Sequence, residues 1–278
     1  MRWRNIFAIV KKDLLEVRQN KAAWLPMIIA PTIIVVVFPL VLLVLPQFIP
    51  VMENEFVNDP DLVSMYAALP PAMMEAIEGM TPMQSVVIMM LCYMFAPMFL
   101  IFPLAFSTVV AAESFAGERE RKTLETLLYT PATEKELFWG KVITGVISSL
   151  AISWGSFVLY AIVLNTAGYP VFHRLWFPLP SWYPLIFWIT PALSLLGVAV
   201  TVLISSRVQT FMGAYQTSVS LVVIVLALLV GQISGVVYLT VGTGLLIGLV
   251  FWIVSAALIM LAMRGFKRPT LLLGMKGS

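Results

Sequence analysis

The sequence predicts an all-α integral membrane protein with six transmembrane helices, an N-terminal interfacial amphipathic helix and a short helix in a charged loop between the second and third spans. Three observations lead to this prediction. Hydrophobic residues make up 60% of the chain, charged residues make up 11%, and the mean hydropathy is +0.97, whereas a soluble domain is roughly half apolar and about a quarter charged. The apolar residues fall into six long runs, and nearly all basic residues lie on one side of them.

Each of the six apolar runs is long enough to cross the ~30 Å hydrocarbon core, which takes about 20 helical residues. A helix is predicted for each run because lipid cannot satisfy unpaired backbone groups, and because runs this long and uniform do not fit barrel strands. The predicted spans are residues 23–45, 86–110, 142–165, 182–204, 211–231 and 239–263. The last two are separated by a short break, which predicts a tight hairpin.

The basic residues predict the orientation of the spans. Of the 17 Lys and Arg residues, 16 lie in the N-terminal segment, in the loop 111–141, at Arg207 or in the tail 264–278, and Arg174 lies on the other side. On that other side the loop 46–85 has six acidic residues and no base. Because loops rich in Lys and Arg stay in the cytoplasm, we expect both termini to be cytoplasmic and 46–85 to be an extracytoplasmic loop. The whole chain, residues 1–278, is expected to form one domain in the cell membrane.

Residues 1–22 are predicted to form a cytoplasmic helix that lies along the membrane surface. Trp3, Phe7, Val10, Leu14 and Val17 recur at spacings of three and four, while basic residues take other positions. This pattern is typical of an amphipathic interfacial helix. The alternative is a plain basic anchor, which needs the charges but not the apolar stripe.

The predicted spans contain no Asp, Glu, Lys, Arg or His. Proton-driven carriers, ion-coupled carriers and voltage sensors use ionisable groups inside the membrane, so these classes are disfavoured. The sequence also lacks a G-x-x-x-x-G-K-[ST] phosphate-binding loop, a nucleophile elbow and a paired-carboxylate site. We therefore predict no catalytic residues and no enzymatic activity. If the protein performs work, the energy is expected to come from a partner.

Metal binding and nucleic-acid binding are disfavoured as well. The single cysteine, Cys92, lies inside an apolar run and the single histidine is His173, so no disulfide and no Cys/His metal site can form within the chain. Eight methionines between residues 73 and 98 offer soft ligands for copper, but flexible apolar filler explains them better. The basic residues flank spans instead of sharing one face with aromatics, which argues against nucleic acid.

Small and polar residues on three spans predict close contacts between helices. The packing residues recur every four positions and are Gly145, Ser149 and Ser153 on the third span, Gly213 with Thr217 on the fifth, and Gly244 and Gly248 on the sixth. The start of the fifth span is polar enough to face a conduit, through Gln209, Thr210, Gln216, Thr217 and Ser220. For each conduit residue the alternative is packing and hydrogen bonding within the chain.

The densest charge lies in residues 113–141, which hold six of the 14 acidic and five of the 17 basic residues. Residues 113–129 suit a helix, which Pro131 ends, and Thr133 with Glu136 has the form of a capping box that would start a helix leading into the third span. The first helix carries three leucines that so small a unit cannot cover. Neighbouring helices or a protein partner are expected to bury Leu124, Leu127 and Leu128. A solvated charged hairpin is the alternative.

The order of residues in this block is similar to the loop between the second and third spans of type-2 ABC exporter permeases. These are the transmembrane subunits of ABC-type export systems, and the single-domain bacterial and archaeal kind matches best. The residues that carry the resemblance are Glu113, Gly117-Glu118-Arg119-Glu120, Lys122-Thr123-Leu124-Glu125, Leu127-Leu128, Pro131, Glu136-Leu137 and Gly140-Lys141. Lys122 stands where that family often has glycine, and Ala132-Thr133 replaces an aliphatic-Ser/Thr step. The basic N-terminus and six spans extend the resemblance over nearly the whole chain.

The resemblance implies a permease subunit of an ATP-driven ABC exporter that forms half of the translocation pathway. It implies a second permease chain, identical or homologous, and two copies of a separate cytoplasmic ATP-binding subunit. ATP and Mg would be bound by that subunit, and no cofactor by this chain. The loop would contain the coupling helix, whose implied ATPase-coupling residues are Glu113, Gly117, Glu118, Arg119, Glu120, Arg121, Lys122, Thr123, Leu124, Glu125, Leu127 and Leu128. Reversing the charges of Glu118, Arg119 and Glu120 is expected to uncouple ATP hydrolysis from export and to leave insertion intact.

The transported substrate stays open at this point. Spans without charge favour an apolar, amphipathic or lipid-linked cargo over a bare ion. Some relatives are associated with sodium extrusion, so an ion-extruding member of the same family is one alternative. A non-transporting membrane scaffold or receptor is another, and it would have no associated ATPase.

Overall fold

A computed structural model describes residues 2–19, 21–48, 59–60, 64, 74, 77–121, 132–208 and 210–265. Within these ranges the protein is helical and contains no strand. Six helices are long and apolar enough to cross a membrane. The prediction of an all-α membrane protein with six spans is therefore confirmed.

The first half of the bundle contains three long helices. Helix α1 is Trp3–Gln19, α2 is Lys21–Phe48 and α3 is the continuous stretch Pro82–Glu120. A capping box between Thr81 and Gln84 starts α3, with proline in its first turn. The winding of α3 changes along its length: α-helix Pro82–Val87, a π-helical turn Ile88–Met94, α-helix Phe95–Phe99 and Ile101–Ala112, a second π-helical turn Glu113–Gly117, and a last turn Glu118–Glu120.

Four long helices form the second half. They are α4 Glu134–Ala167, α5 Trp182–Ser205, α6 Phe211–Ile233 and α7 Val241–Gly265, with a short helix Tyr169–Phe172 after α4. A π-helical turn, Leu185–Ile189, lies within α5, and α6 consists of Phe211–Val219 and Val222–Ile233. Most of the predicted loop 46–85 and of the tail after residue 265 lies outside the described residues.

Helices α3 and α5 are the buried centre of the bundle, while α2, α4, α6 and α7 leave most of their apolar surface uncovered. α4 packs against α3, α2 and α1, and α7 packs against α5. Large apolar side chains face outward, among them Ile33, Val158, Val223 and Leu246. Exposed apolar surface on this scale marks contact with another apolar phase, which for six spanning helices is the lipid.

The first π-helical turn of α3 connects three other spans. Three successive backbone carbonyls, those of Leu91, Cys92 and Tyr93, each accept a hydrogen bond from a side chain of a different helix. The donors are Tyr160 of α4, Trp182 of α5 and Gln232 of α6. A π-helical turn departs from the ordinary α-helical ladder, and each carbonyl inside a membrane needs a partner. The turn therefore serves as a central attachment point for the bundle.

Candidate functional site

Five polar side chains meet at the end of the bundle where α1, α3 and α4 converge. We call them the charge cluster: Lys12 and Asp13 of α1, Ser114 and Glu118 of α3, and Lys141 of α4. The Lys141 side chain is completely buried, with 0% of its surface exposed. Its Nζ donates to the backbone oxygen of Ser114 at 2.6 Å, to Ser114 Oγ at 3.2 Å and to a carboxylate oxygen of Glu118.

The carboxylates of the cluster connect α1 to the other two helices. Glu118 accepts a second hydrogen bond, from Lys12 Nζ at 2.7 Å. Asp13 accepts one from Ser114 Oγ at 3.0 Å, and its other oxygen lies 3.3 Å from Lys12 Nζ. Two ammonium groups therefore face two carboxylates, and the cluster has no net charge. Burying charges is costly unless they are paired and hydrogen-bonded, and this arrangement meets both conditions.

Lys12 also occupies the position that a cation would otherwise take. The carboxylates of Asp13, Glu16 and Glu118 lie within 4.8 Å of one another, and Lys12 Nζ contacts all three. Burial alone would lower the pKa of Lys12, but the hydrogen bond and the charge of Glu118, with those of Asp13 and Glu16, raise it above its usual range. Lys12 therefore stays protonated at neutral pH and supplies the compensating charge.

The second π-helical turn of α3 shapes this site. It covers Glu113–Gly117 and presents the backbone oxygen and hydroxyl of Ser114 to Lys141. On its outer side, Glu113 forms an ion pair with Arg121 at 2.7 Å. A Cβ atom at Gly117 would lie 2.9 Å from the Glu113 carboxylate. Glycine at this position thus allows the carboxylate to reach across the turn to Arg121.

A second polar contact seats the start of α1 on the start of α4. The predicted capping box is confirmed: Thr133 is the N-cap of α4, and the Glu136 side chain accepts from the Thr133 backbone N–H. The same carboxylate accepts from the backbone N–H of Arg2 and from Asn5 Nδ2 at 3.0 Å. Glu136 therefore caps α4 and fixes the first residues of α1 at the same time.

Two further bonds lead from the end of α3 to α5 and α6. Arg119 Nη1 donates to the backbone oxygen of Ser205, the last residue of α5, at 2.8 Å. The Glu120 carboxylate accepts from the backbone N–H of Phe211, the first residue of α6, also at 2.8 Å. Residues 113–121 thus contact α1, α4, α5 and α6, so the end of α3 is the point where the ends of five helices are joined.

The buried face of α1 differs from the apolar stripe seen in the sequence. Ile6, Ile9, Val10 and Asp13 are buried, mostly against α4. Trp3 and Phe7 are 66% and 68% exposed. The helix therefore has two apolar faces, one that packs against the protein and an adjacent one that is open. Contact of the open face with the membrane surface stays a prediction.

Three charged residues of the predicted coupling set bond to other parts of the protein itself. Glu118 is buried, and Arg119 and Glu120 bond to the ends of α5 and α6. Reversing these three charges would break contacts within the chain, so that experiment does not isolate coupling to a partner. The other predicted coupling residues, Lys122, Thr123, Leu124, Glu125, Leu127 and Leu128, lie outside the described residues.

The predicted packing residues make contacts inside the chain. Ser149 Oγ bonds to the Pro103 backbone oxygen of α3 at 2.7 Å and lies 2.9 Å from Ser194 Oγ of α5. A Cβ at Gly145 would lie 2.8 Å from Val198 of α5. Ser153 is buried.

On α7, the nearest atoms to Gly244 and Gly248 belong to Pro184 and Trp188 of α5. Gly213 of α6 faces Val208 and Thr210, which directly precede this helix. The Gly244–Gly248 face is therefore occupied by α5.

Of the predicted conduit residues, three form local hydrogen bonds. Thr210 Oγ1 accepts from the Gly213 backbone N–H and caps α6, while Thr217 and Ser220 donate to carbonyls of their own helix. Gln216 is exposed, and Gln209 lies outside the described residues. A conduit along this face stays a prediction.

Sequence reasoning did not identify Lys12, Asp13 or Ser114 as part of the site, and it included Lys141 only as the end of the family pattern. One signal was available for Asp13. It stands at helical spacing from Ile6, Ile9 and Val10, so it is an acid on an apolar face. A charge in that position predicts a buried partner, although the sequence does not say which lysine provides it.

Gly140 provides a test of how α1 is seated. A Cβ at this position would lie 2.7 Å from Ile9 Cγ2, so we expect Gly140→Ala to destabilise the contact between α1 and α4 by about 1–3 kcal/mol, as overpacking does. The thermal midpoint of the purified protein in detergent measures this. Gly155→Ala is the matched control, because Gly155 lies in the same helix with nothing within 4 Å. It should leave stability unchanged or raise it slightly. A Gly140→Ala protein as stable as this control would contradict the packing.

Comparison with known proteins identifies the family. The model of the family described as ABC-2 family transporter protein matches residues 7–260. No curated protein and no solved structure matches the chain. The matched range begins within α1 and ends within α7, so it includes the charge cluster and the core of every spanning helix. The chain therefore belongs to the ABC-2 family of transporter proteins.

Proposed function

We propose that this chain is the permease subunit of an ATP-driven exporter and that it forms half of the translocation pathway together with a second permease chain. Two copies of a separate ATP-binding subunit would supply the energy. In this arrangement α1, the loop after α3 and the C-terminal tail face the cytoplasm. Membership of the ABC-2 family supports the proposal, and so do the basic residues concentrated at that end of the bundle.

The observation that carries the proposal is the set of contacts made by residues 113–121. These residues bond to α1, α4, α5 and α6, and they lie in the loop 113–141 that, by the family resemblance, contains the coupling helix, directly before residues 122–131. A displacement applied to residues 122–131 would reach these four helices through residues 113–121. A partner that pushes or pulls here is therefore connected to most of the bundle.

The contact with the ATP-binding subunit is best assigned to side chains beyond Glu120. Glu118 is 2% exposed and cannot reach a partner without leaving its lysines. Arg121 is half-exposed. Leu124, Leu127 and Leu128 come next in the sequence, in the stretch that the sequence predicts to be helical, and an apolar ridge beside charged residues is what a docking surface requires. The buried charges would then hold the base of the coupling helix, while the leucines contact the partner.

The cargo is proposed to be apolar, amphipathic or lipid-linked, because the predicted spans have no Asp, Glu, Lys, Arg or His. Ion-coupled and ion-conducting pathways usually contain such groups. An ion-extruding activity would therefore depend on backbone and hydroxyl oxygens alone.

Co-expression tests the proposed function. The chain is expressed with the Walker-type ATPase encoded nearest to it, purified through a tag on the chain, and reconstituted in lipid nanodiscs. We expect the two proteins to purify together and the rate of ATP hydrolysis per ATPase to differ at least about threefold from that of the ATPase alone. An ATPase with its Walker lysine replaced is the control for hydrolysis by contaminants. Failure of every separately encoded ATP-binding subunit to bind would favour the scaffold or receptor alternative and overturn the proposal.

A further inference from the structure

We infer that Lys141, Glu118 and Asp13 are positioning residues that fix the end of α3, the start of α4 and α1 into one mechanical unit. This inference rests on the proposed function, because it assigns these residues a part in transmitting movement from residues 122–131, which we call the coupling segment. They are not proposed to touch the ATP-binding subunit. Their part is to determine which helices follow when that segment moves.

The first support is the complete use of the Lys141 ammonium group. An ammonium has three donors and no acceptor. The three are directed to the Ser114 backbone oxygen, to Ser114 Oγ and to Glu118. Two of the three contacts are thus made to the π-helical turn of α3, and the third is made to the turn that follows it. Lys141 therefore holds α3 on both sides of the point where its winding changes.

The second support is that the contacts close into a ring. Lys12 bonds to Glu118, Glu118 to Lys141, Lys141 to Ser114, Ser114 to Asp13, and Asp13 to Lys12. The ring contains residues of α1, α3 and α4, so none of these three helices can shift here without breaking at least two of the ring's bonds. Opposite charges attract strongly when they are away from water, so separating them by such a shift is unfavourable.

The third support is the contrast with the links to α5 and α6. The polar link to each of those helices is one hydrogen bond, from Arg119 to the Ser205 carbonyl and from the Phe211 N–H to Glu120, and Glu120 is exposed. A single bond of this kind exchanges with water at little cost.

The rest of the contact with α5 and α6 is apolar: Phe115 shares a buried cluster with Val202 of α5, and Ala116 shares one with Ala214 of α6. Apolar contacts are non-directional, so they do not fix a position as the ionic ring does. Movement of the coupling segment should therefore carry α1 and α4 with it as a unit, and the junction between α5 and α6 should be where the relative movement occurs.

The test uses a variant that removes the ionic ring without leaving an unpaired charge. In the double variant Glu118→Gln with Lys141→Met, Lys12 keeps Asp13 and Glu16 as partners, and the introduced amide oxygen can still accept the hydrogen bond from Lys12. Replacing both members of a buried ion pair is often neutral for stability. Glu16→Gln is the matched control, because it breaks the exposed ion pair between Lys12 and Glu16 on α1 and leaves the ring intact, and such pairs contribute little.

Three measurements are made on each variant, and the first is the thermal midpoint of the purified protein. Hydrogen exchange of residues 113–121 is measured by mass spectrometry on the chain alone in nanodiscs. Its rate reports how firmly these residues are held. The rate of ATP hydrolysis per isolated complex reports coupling. For the double variant we expect a thermal midpoint close to that of the wild type, exchange at 113–121 at least about tenfold faster, and loss of most of the change in ATPase rate that the chain causes. Glu16→Gln should match the wild type in all three measurements.

The outcomes separate this inference from the proposed function. Wild-type exchange and wild-type ATPase response in the double variant would overturn the inference. So would a loss of folded protein in which the surviving complexes have the wild-type ATPase response, because that is what a purely structural role predicts. If the wild-type chain does not alter the rate of any ATPase, the proposed function fails. The rigid unit is still supported in that case if residues 113–121 exchange slowly in the wild type and rapidly in the double variant.

Discussion

Lys141→Met is expected to destabilise the protein by about 3–5 kcal/mol, which is the usual consequence of removing one member of a buried ion pair. Methionine fills a similar volume, so the loss is electrostatic and not a matter of packing. The change would leave the carboxylates of Asp13 and Glu118 buried with only Lys12 between them, and it would remove the donor that satisfies the Ser114 carbonyl. Few single substitutions have effects of this size.

The measurement is the free energy of unfolding of the purified chain in mixed detergent micelles. Arg121→Gln should change it by less than about 1 kcal/mol, because its ion pair with Glu113 is half-exposed. Adding Glu118→Gln to Lys141→Met should restore most of the lost stability, because it removes the unpaired charge. If Lys141→Met alone is as stable as the Arg121→Gln control, the buried ion pair does not exist in the folded protein.

Replacing Leu124, Leu127 and Leu128 together by serine is expected to weaken binding of the ATP-binding subunit by at least about 100-fold. A fully buried leucine contributes roughly 1.5–3 kcal/mol, and about 1.4 kcal/mol corresponds to a factor of ten in affinity. Even if the interface buries only part of each side chain, the three leucines together contribute more free energy than a 100-fold change in affinity requires. Binding of the purified subunit to the chain in nanodiscs, at fixed salt concentration, measures the effect.

Leu175→Ser is the matched control for this experiment. Leu175 is 79% exposed and lies between α4 and α5, on the predicted opposite side of the membrane. Its replacement should leave both binding and protein abundance unchanged. Wild-type affinity in the triple variant would show that the leucines do not contact the subunit. A triple variant that binds normally but hydrolyses ATP at a changed rate would place them in coupling and not in docking.

The spanning helices could be predicted because their physical cause is local. A run of apolar residues long enough to cross the hydrocarbon core must form a helix there, whatever else the chain does. The capping box at Thr133 and Glu136 was predictable for the same reason, since all of its bonds lie within four residues. Helix ends were less accurate: α3 continues to Glu120 because charged residues extend the helix beyond the apolar run.

The direction in which the charges face could not be predicted from the block alone. Glu118, Arg119 and Glu120 stand in a hydrophilic stretch, and such a stretch normally indicates a solvated surface. The partners of Glu118 are Lys12 and Lys141, and Lys12 lies 106 positions away along the chain. Helical periodicity reports which residues share a face of one helix, but it says nothing about which other helix covers that face.

Composition and short-range pattern were enough to assign the class of the protein, the number of its spans and the resemblance of residues 113–141 to a coupling loop. Three features became known only from the packed helices: Glu118 and Lys141 face inward, Asp13 joins them, and α5 covers the glycine face of α7. The physical reason is that buried charges and close helix contacts are satisfied by groups distant in sequence. Their positions depend on how the helices pack, which no local pattern specifies.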